Sequence, residues 1–159
     1  MSMRPLLAWA SDHHTFELPP THPFQLAKYT LVREQLLAER VLEPEWITRS
    51  EPAPVEWLRA AHDPAYVTRT LTGEWSDAEV RRLGLPWSDA LVTRARAALY
   101  GTVMAARAAL VHGVAGNLAG GTLEGDVTLW GWTFDPNTWE YTSSERTVHA
   151  SVVITGTGA

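Results

Sequence analysis

The order of apolar and polar positions divides the chain into segments of different period. Residues 5–10, PLLAWA, form a short apolar run that empties into the polar cluster SDHH at 11–14. A run of that length without alternation predicts a strand buried on both faces, and the polar residues behind it fall at the carboxyl edge where open α/β sheets bind ligands. In THPFQLAKYTLVREQLLAER, Leu26, Tyr29, Val32 and Leu36 recur at helical spacing, with Lys28, Glu34, Gln35 and Glu39 away from them. The pattern predicts an amphipathic helix with Pro23 at its first position. A second short strand is expected around Trp46 to Thr48, between Pro44 and Pro52.

Val55 to Thr72 reads as helix broken at His62-Asp63-Pro64, where Asp63 can cap and Pro64 can open a second helix that Gly73 ends. Ser76-Asp77-Ala78-Glu79 has the spacing of a capping box and announces a short helix that stops before Gly84 and Pro86. After Ser88, Leu91, Ala95, Ala98, Leu99, Thr102, Ala106 and Leu110 fall on one face of a long helix that closes at Gly113. Its alanines permit close approach of neighbouring backbone. VAGNLAGG then reads as a third buried strand running into a glycine turn.

The order strand, helix, strand, helices, strand implies crossover connections and a parallel sheet. From Asp126 the pattern changes. VTLWGWTF, TWEYTSS and RTVHASVVIT are three β-rich runs, the first two joined by the turn sequence DPNT, so the tail predicts an antiparallel meander. The expectation is an α/β segment over residues 1–122 and a β-rich tail over 123–159 on or beside it, in a single domain.

Composition narrows the classes of function. With 159 residues, 45% of them apolar and eight tryptophans, the chain has material for one core. Its net charge of −5 offers no broad basic field, which argues against nucleic acid or an anionic membrane as partner. Cysteine is absent, so any zinc would need His, Asp or Glu. The apolar run RPLLAWA is too short for a spanning helix or signal peptide, and a cytoplasmic location is the expectation.

LPPTHPFQLAKY, APVEWLRAAHDPAYV and ALYGTVMAARAALVHGVAGNLAGGT occur in that order across residues 1–122, and together this part of the chain resembles the N-terminal segment of the histone deacetylase superfamily, in particular its bacterial acetoin-utilisation-type members. The resemblance implies a partial parallel sheet of the arginase and deacetylase kind with flanking helices. In the complete family it implies zinc-dependent hydrolysis of an acetyl amide. That chemistry needs a Lewis acid on the carbonyl, a base for the water and a proton for the leaving amine. The family places adjacent histidines for the proton work just after Gly-Gly-x, and an Asp, His, Asp zinc set and a tyrosine further on.

Gly120, Gly121 and Thr122 match the approach to that site, but Leu123 and Glu124 stand where the histidines belong, and no Asp-x-His motif follows. Leucine cannot transfer a proton. The positions carried over are therefore scaffold: Lys28 near the basic position of the first helix, His62 and Tyr66 in the helix motif, and the Gly120-Gly121 turn. No cofactor is expected for this chain by itself. The reading that follows is a truncated, degenerate or chimeric relative of the deacetylases, inactive alone and serving as a structural or interaction module. Leu123-Glu124 is also the residue pair that a cloning join leaves, so a fused, frameshifted or recombined tail is a further origin for the change of pattern.

Alternative assignments follow from single residues. His13 and His14 are candidates for a replacement dyad, set against the preferred reading that their side chains diverge into solvent. His62 is a candidate ligand, set against a packed histidine at the helix break. Lys28 could steer an anion such as acetate, or be an exposed helix lysine. Glu124 and Asp126 with His149 could hold a cation, against a solvated acidic turn. Trp130, Trp132 and Trp139 could bind sugar or peptide, against cross-strand packing. An enzyme whose site a partner chain completes is the runner-up, and a homo-oligomer through an unpaired sheet edge is the expected partner.

Overall fold

The computed structural model describes residues 5–119, 127–135 and 140–148. The chain divides into two units, 1–120 and 121–159. The first is mixed α/β, with five α-helices and a three-stranded parallel sheet. Strand β1 (Leu7–Ala10) is central, paired in parallel with β2 (Ile47–Arg49) on one side and β3 (Ala115–Asn117) on the other. Ala8, Trp9 and Ala10 are buried, as a strand covered on both faces requires. The polar residues then begin at once with Ser11.

Helix α1 (Ala27–Ala38) starts four residues after Pro23. The expected start fails because His22 holds the approach in a turn: its Nδ1 accepts from the Phe24 N–H at 3.0 Å, and its carbonyl accepts from the Gln25 side chain at 2.9 Å. The amphipathic reading also needs correction. Of the expected apolar face Leu26, Tyr29 and Leu36 are half-buried, but Val32 is 40% exposed and no residue of α1 is fully buried. What ties the helix to the sheet is polar, an ion pair from Arg33 to Asp12 at 2.9 Å. Strand β2 begins at Ile47 because Pro44–Trp46 forms a 3-10 turn.

The helix break falls where its caps dictate. Helix α2 (Val55–Ala61) ends at His62, and α3 (Pro64–Thr72) opens with Asp63 Oδ1 accepting from the backbone N–H groups of Ala65 and Tyr66 at 2.8 and 3.2 Å. Gly73, in the left-handed region at φ 76°, closes α3. Replacing Asp63 with alanine removes both acceptors and should cost about 0.5–2 kcal/mol. Asn in its place should recover most of that, and a urea midpoint unchanged by the alanine would show that Pro64 alone sets the break.

Helix α4 (Asp77–Leu83) carries the expected capping box between Ser76 and Glu79. Glu79 also receives Arg69 at 2.6 Å, and the Arg69 and Ser76 hydrogen bonds hold its carboxyl down to about 2. Helix α5 (Asp89–His112) is capped by Ser88 and closed by Gly113. Its buried residues are Val92, Arg94, Ala97, Gly101 and Ala105. Of the expected stripe, Leu91, Ala98 and Leu99 are half-buried, whereas Ala95, Thr102, Ala106 and Leu110 are exposed, Leu110 at 89%. The helix instead turns its small residues to the sheet, and Asn117 of β3 donates to Ala98 O and Thr102 Oγ1, both at 2.9 Å. Backbone proximity has selected the face.

The second unit contains β4 (Val127–Asp135) and β5 (Glu140–Val148), an antiparallel pair with Val127 opposite Val148 and Asp135 opposite Glu140. The three β-rich runs of the tail therefore do not appear as three strands in the described residues. The end of the second and the start of the third merge into β5, and the expected DPNT turn and the remainder of the third run lie outside the described residues.

Candidate functional site

The carboxyl ends of β1 and β2 meet beside the N-terminal half of α5, and the candidates His13 and His14 lie there. Ser11 to His14 forms a turn, with the His14 N–H donating to Ser11 O at 3.0 Å. Arg94, 6% exposed on α5, holds the inside of that turn by donating to Ser11 O and, at 3.3 Å, to His14 O. Its guanidinium lies 4.4 Å from the centre of the Tyr29 ring of α1. Burial pulls the Arg94 pKa down, opposed by Tyr29 and Asp12, yet an arginine stays charged under such a pull.

Asp12 is held on the other side by Arg33. Burial by itself would raise the carboxyl, but the hydrogen bond and charge of Arg33, with Thr30, outweigh it and leave the pKa below its ordinary value. The turn is thus clamped by two arginines from two helices.

The histidines do not diverge. Their ring centroids are 4.1 Å apart, and His14 Nε2 lies 3.2 Å from Ser50 O at the end of β2. The preferred reading of two solvent-directed side chains is corrected here, because Arg94 and Ser50 fix the turn through partners far away in sequence. His13 Nδ1, Ser11 Oγ and Ser50 Oγ are buried and find no hydrogen-bond partner among the described residues.

Burial, then the neighbouring charges of His14 and Arg49, lowers the His13 pKa below its ordinary 6.5, against upward pulls from Asp12 and Glu51. The unfolded chain therefore binds this proton more readily than the folded one. The contribution of His13 to stability is complete above about 6.5 and is lost as pH falls through the depressed folded value. An NMR titration should place the His13 midpoint below 6.5, and His14→Ala should move it upward. A midpoint at or above 6.5 in the intact chain would contradict this account.

The other sequence candidates lie elsewhere. Lys28 is half-buried over two rings, with Nζ 4.6 Å from the Phe24 centroid and 5.2 Å from that of Tyr29. This replaces the freely exposed lysine of the sequence reading, since the His22 turn brings Phe24 back beneath it. His62 is exposed at the end of α2, 5.4 Å from the Tyr66 ring, so it is not the packed histidine expected at the break. The structure does not bring His62 and Tyr66 to the His13–His14 turn. Gly120, Gly121, Leu123, Glu124, Asp126, Trp139 and His149 lie outside the described residues. Among the described residues no group of three His, Asp or Glu side chains is placed to hold a metal.

Comparison with known proteins adds one relative to this geometry. The chain is 39% identical over 105 residues to an uncharacterized protein of Picosynechococcus sp., a match covering 66% of this chain and 35% of that protein. It spans about a third of that relative's length. No family model matches the chain. Among the described residues no helix is long and apolar enough to cross a membrane.

Sequence reasoning passed over Arg94, Arg33, Asp12, Ser50 and Asn117. A signal for Arg94 was present. Positions 94, 97, 101 and 105 follow a +3, +4, +4 spacing, and three of them carry Ala or Gly, which marks a stripe for close packing with one cation inside it.

Proposed function

We propose that this chain is a deacetylase-type α/β layer that does not hydrolyse acetyl amides by itself and acts as a structural or interaction module. The observation that carries the reading is the pair Leu123-Glu124, which occupies the positions where the resemblance calls for proton-transferring histidines. The parallel order β2-β1-β3 and the polar carboxyl edge of β1 are compatible with such a layer. The zinc set of that family does not fit the described residues, which assemble no three-ligand group, so no step is derived through a metal. Edge strands β2 and β3, each three residues long, are where a second copy of the chain would add.

Purified chain supplied with equimolar zinc should show no turnover of an acetyl-lysine peptide above the protein-free blank. Zinc-dependent turnover that a hydroxamate blocks would overturn the reading. The His13–His14 contact favours one second reading, in which a partner chain completes an active site around that turn. Turnover would then rise with protein concentration as the chains associate and disappear in His13→Ala.

A further inference from the structure

We propose that the first unit carries a separate binding site for an apolar monocarboxylate, in an open-sided cleft lined by α2, α3, α5, the end of α4 and the loops that carry Trp75 and Trp87, with Arg96 as its anion anchor. The cleft measures about 410 Å³, within the roughly 300–1,000 Å³ typical of small-molecule sites. Its walls are made by Leu58, Val67, Trp75, Leu85, Trp87 and Leu99. His62 and Tyr66, the scaffold positions of the helix motif, also border it, so that motif helps to shape this cleft rather than the His13–His14 turn.

Two observations distinguish the cleft from a loosely packed seam. The first is that its aromatic walls are held from behind. Trp87 Nε1 donates to Thr70 O at 2.9 Å, and the Trp87 ring lies so close to Gly73 that a Cβ there would sit 2.8 Å from it. Trp75 meets Tyr66 edge-on at 5.5 Å and carries the Arg69 guanidinium 5.0 Å from its centre, while Arg69 is itself held by Glu79. Walls fixed in this way do not need to be ordered by a ligand, which lowers the entropic cost of binding.

The second observation is charge. Arg96 is the one Arg, Lys, Asp or Glu side chain in the lining. Its Nε is committed to Ala53 O at 2.8 Å, and its terminal guanidinium nitrogens take no protein partner among the described residues. A single cation in a mostly apolar lining selects one negative charge on an apolar body, and a guanidinium edge matches the planar carboxylate. A phosphate would bring a second charge into a wall that offers no second cation.

Decanoate, kept below its micellar concentration, is the probe. Titrated into the full chain, it should bind saturably at one per chain and shift the indole N–H signals of Trp75 and Trp87. Arg96→Gln, which keeps a donor for Ala53 O, should weaken decanoate at least tenfold and leave the weaker binding of 1-decanol unchanged. Ala95→Trp, which fills the cleft, should abolish both. If circular dichroism shows that Ala95→Trp does not fold, the Arg96→Gln comparison decides alone. Absence of saturable decanoate binding would overturn the proposal. So would decanoate binding that Arg96→Gln does not weaken, or that decylammonium equals.

Discussion

Gly101→Val should destabilise the first unit by about 3 kcal/mol, and Gly101→Ala by a smaller amount in the same direction. A Cβ at this position would stand 2.7 Å from Asn117 Oδ1 and 2.8 Å from Ser50 Oγ, closer than side chains approach without something moving. Intrinsic helix propensity argues the opposite way, since alanine in a helix interior is favoured over glycine by about 1 kcal/mol. The sign of the alanine variant therefore decides which effect wins. Asn117 fastens β3 to α5 through Ala98 O and Thr102 Oγ1, so the displaced side chain should also loosen the strand. Faster hydrogen exchange at Leu118 N–H, which donates to Trp9 O at 2.7 Å, would report it. A Gly101→Ala protein with wild-type melting temperature and exchange would show that α5 does not rest on β3 as described.

The second large effect is expected at Arg94. Arg94→Met keeps much of the side-chain volume but leaves His14 O without a donor and Ser11 O with only the His14 N–H, a loss of about 2–3 kcal/mol. The measurement is the denaturant midpoint, read together with the ring signals of His13 and His14, whose turn should lose its fixed geometry. Lysine should not fully rescue the variant, because one guanidinium nitrogen serves both carbonyls while the planar group lies on Tyr29, and an ammonium on its own stem does not reproduce that stacking. A methionine variant with an unchanged midpoint and unchanged histidine signals would mean that Arg33 and Asp12 hold the turn unaided.

The parts of the fold that were legible in the sequence are those set by neighbours a few residues apart. Asp63-Pro64, the Ser76 to Glu79 box, Ser88, Gly73 and Gly113 each act on backbone groups within one helical turn, and each stands at the boundary its chemistry implies. The unalternating run before Ser11 likewise announced a strand buried on both faces. What was not legible depended on distant partners. The face of α5 is one such case: the sequence pattern marks Leu91, Ala95, Ala98, Leu99, Thr102, Ala106 and Leu110, whereas the residues that bury are Val92, Arg94, Ala97, Gly101 and Ala105, set by Asn117 and Ser50, whose side-chain oxygens stand where a Cβ at 101 would go. The sequence offers the His13–His14 pair only as the lesser alternative for the same reason: its placement rests on Arg94 and Ser50, and no local spacing encodes those contacts.

The central position of β1 sets a timetable for the chain as it is made. Leu7 meets Ala115 and Ala8 meets Ile47, so the strand synthesised first must wait for one neighbour and then, much longer, for the other. At roughly 5–20 residues per second the interval before β3 emerges is on the order of ten seconds. During it, one edge of an apolar strand has no partner in the nascent chain, and α5 must already be formed to deliver β3 to its place. Loops that long close slowly, and the exposed edge is a template for wrong pairing. Yield on synthesis should therefore depend on how quickly residues 89–117 follow, and on whether a chaperone shields Leu7–Ala10 until they arrive.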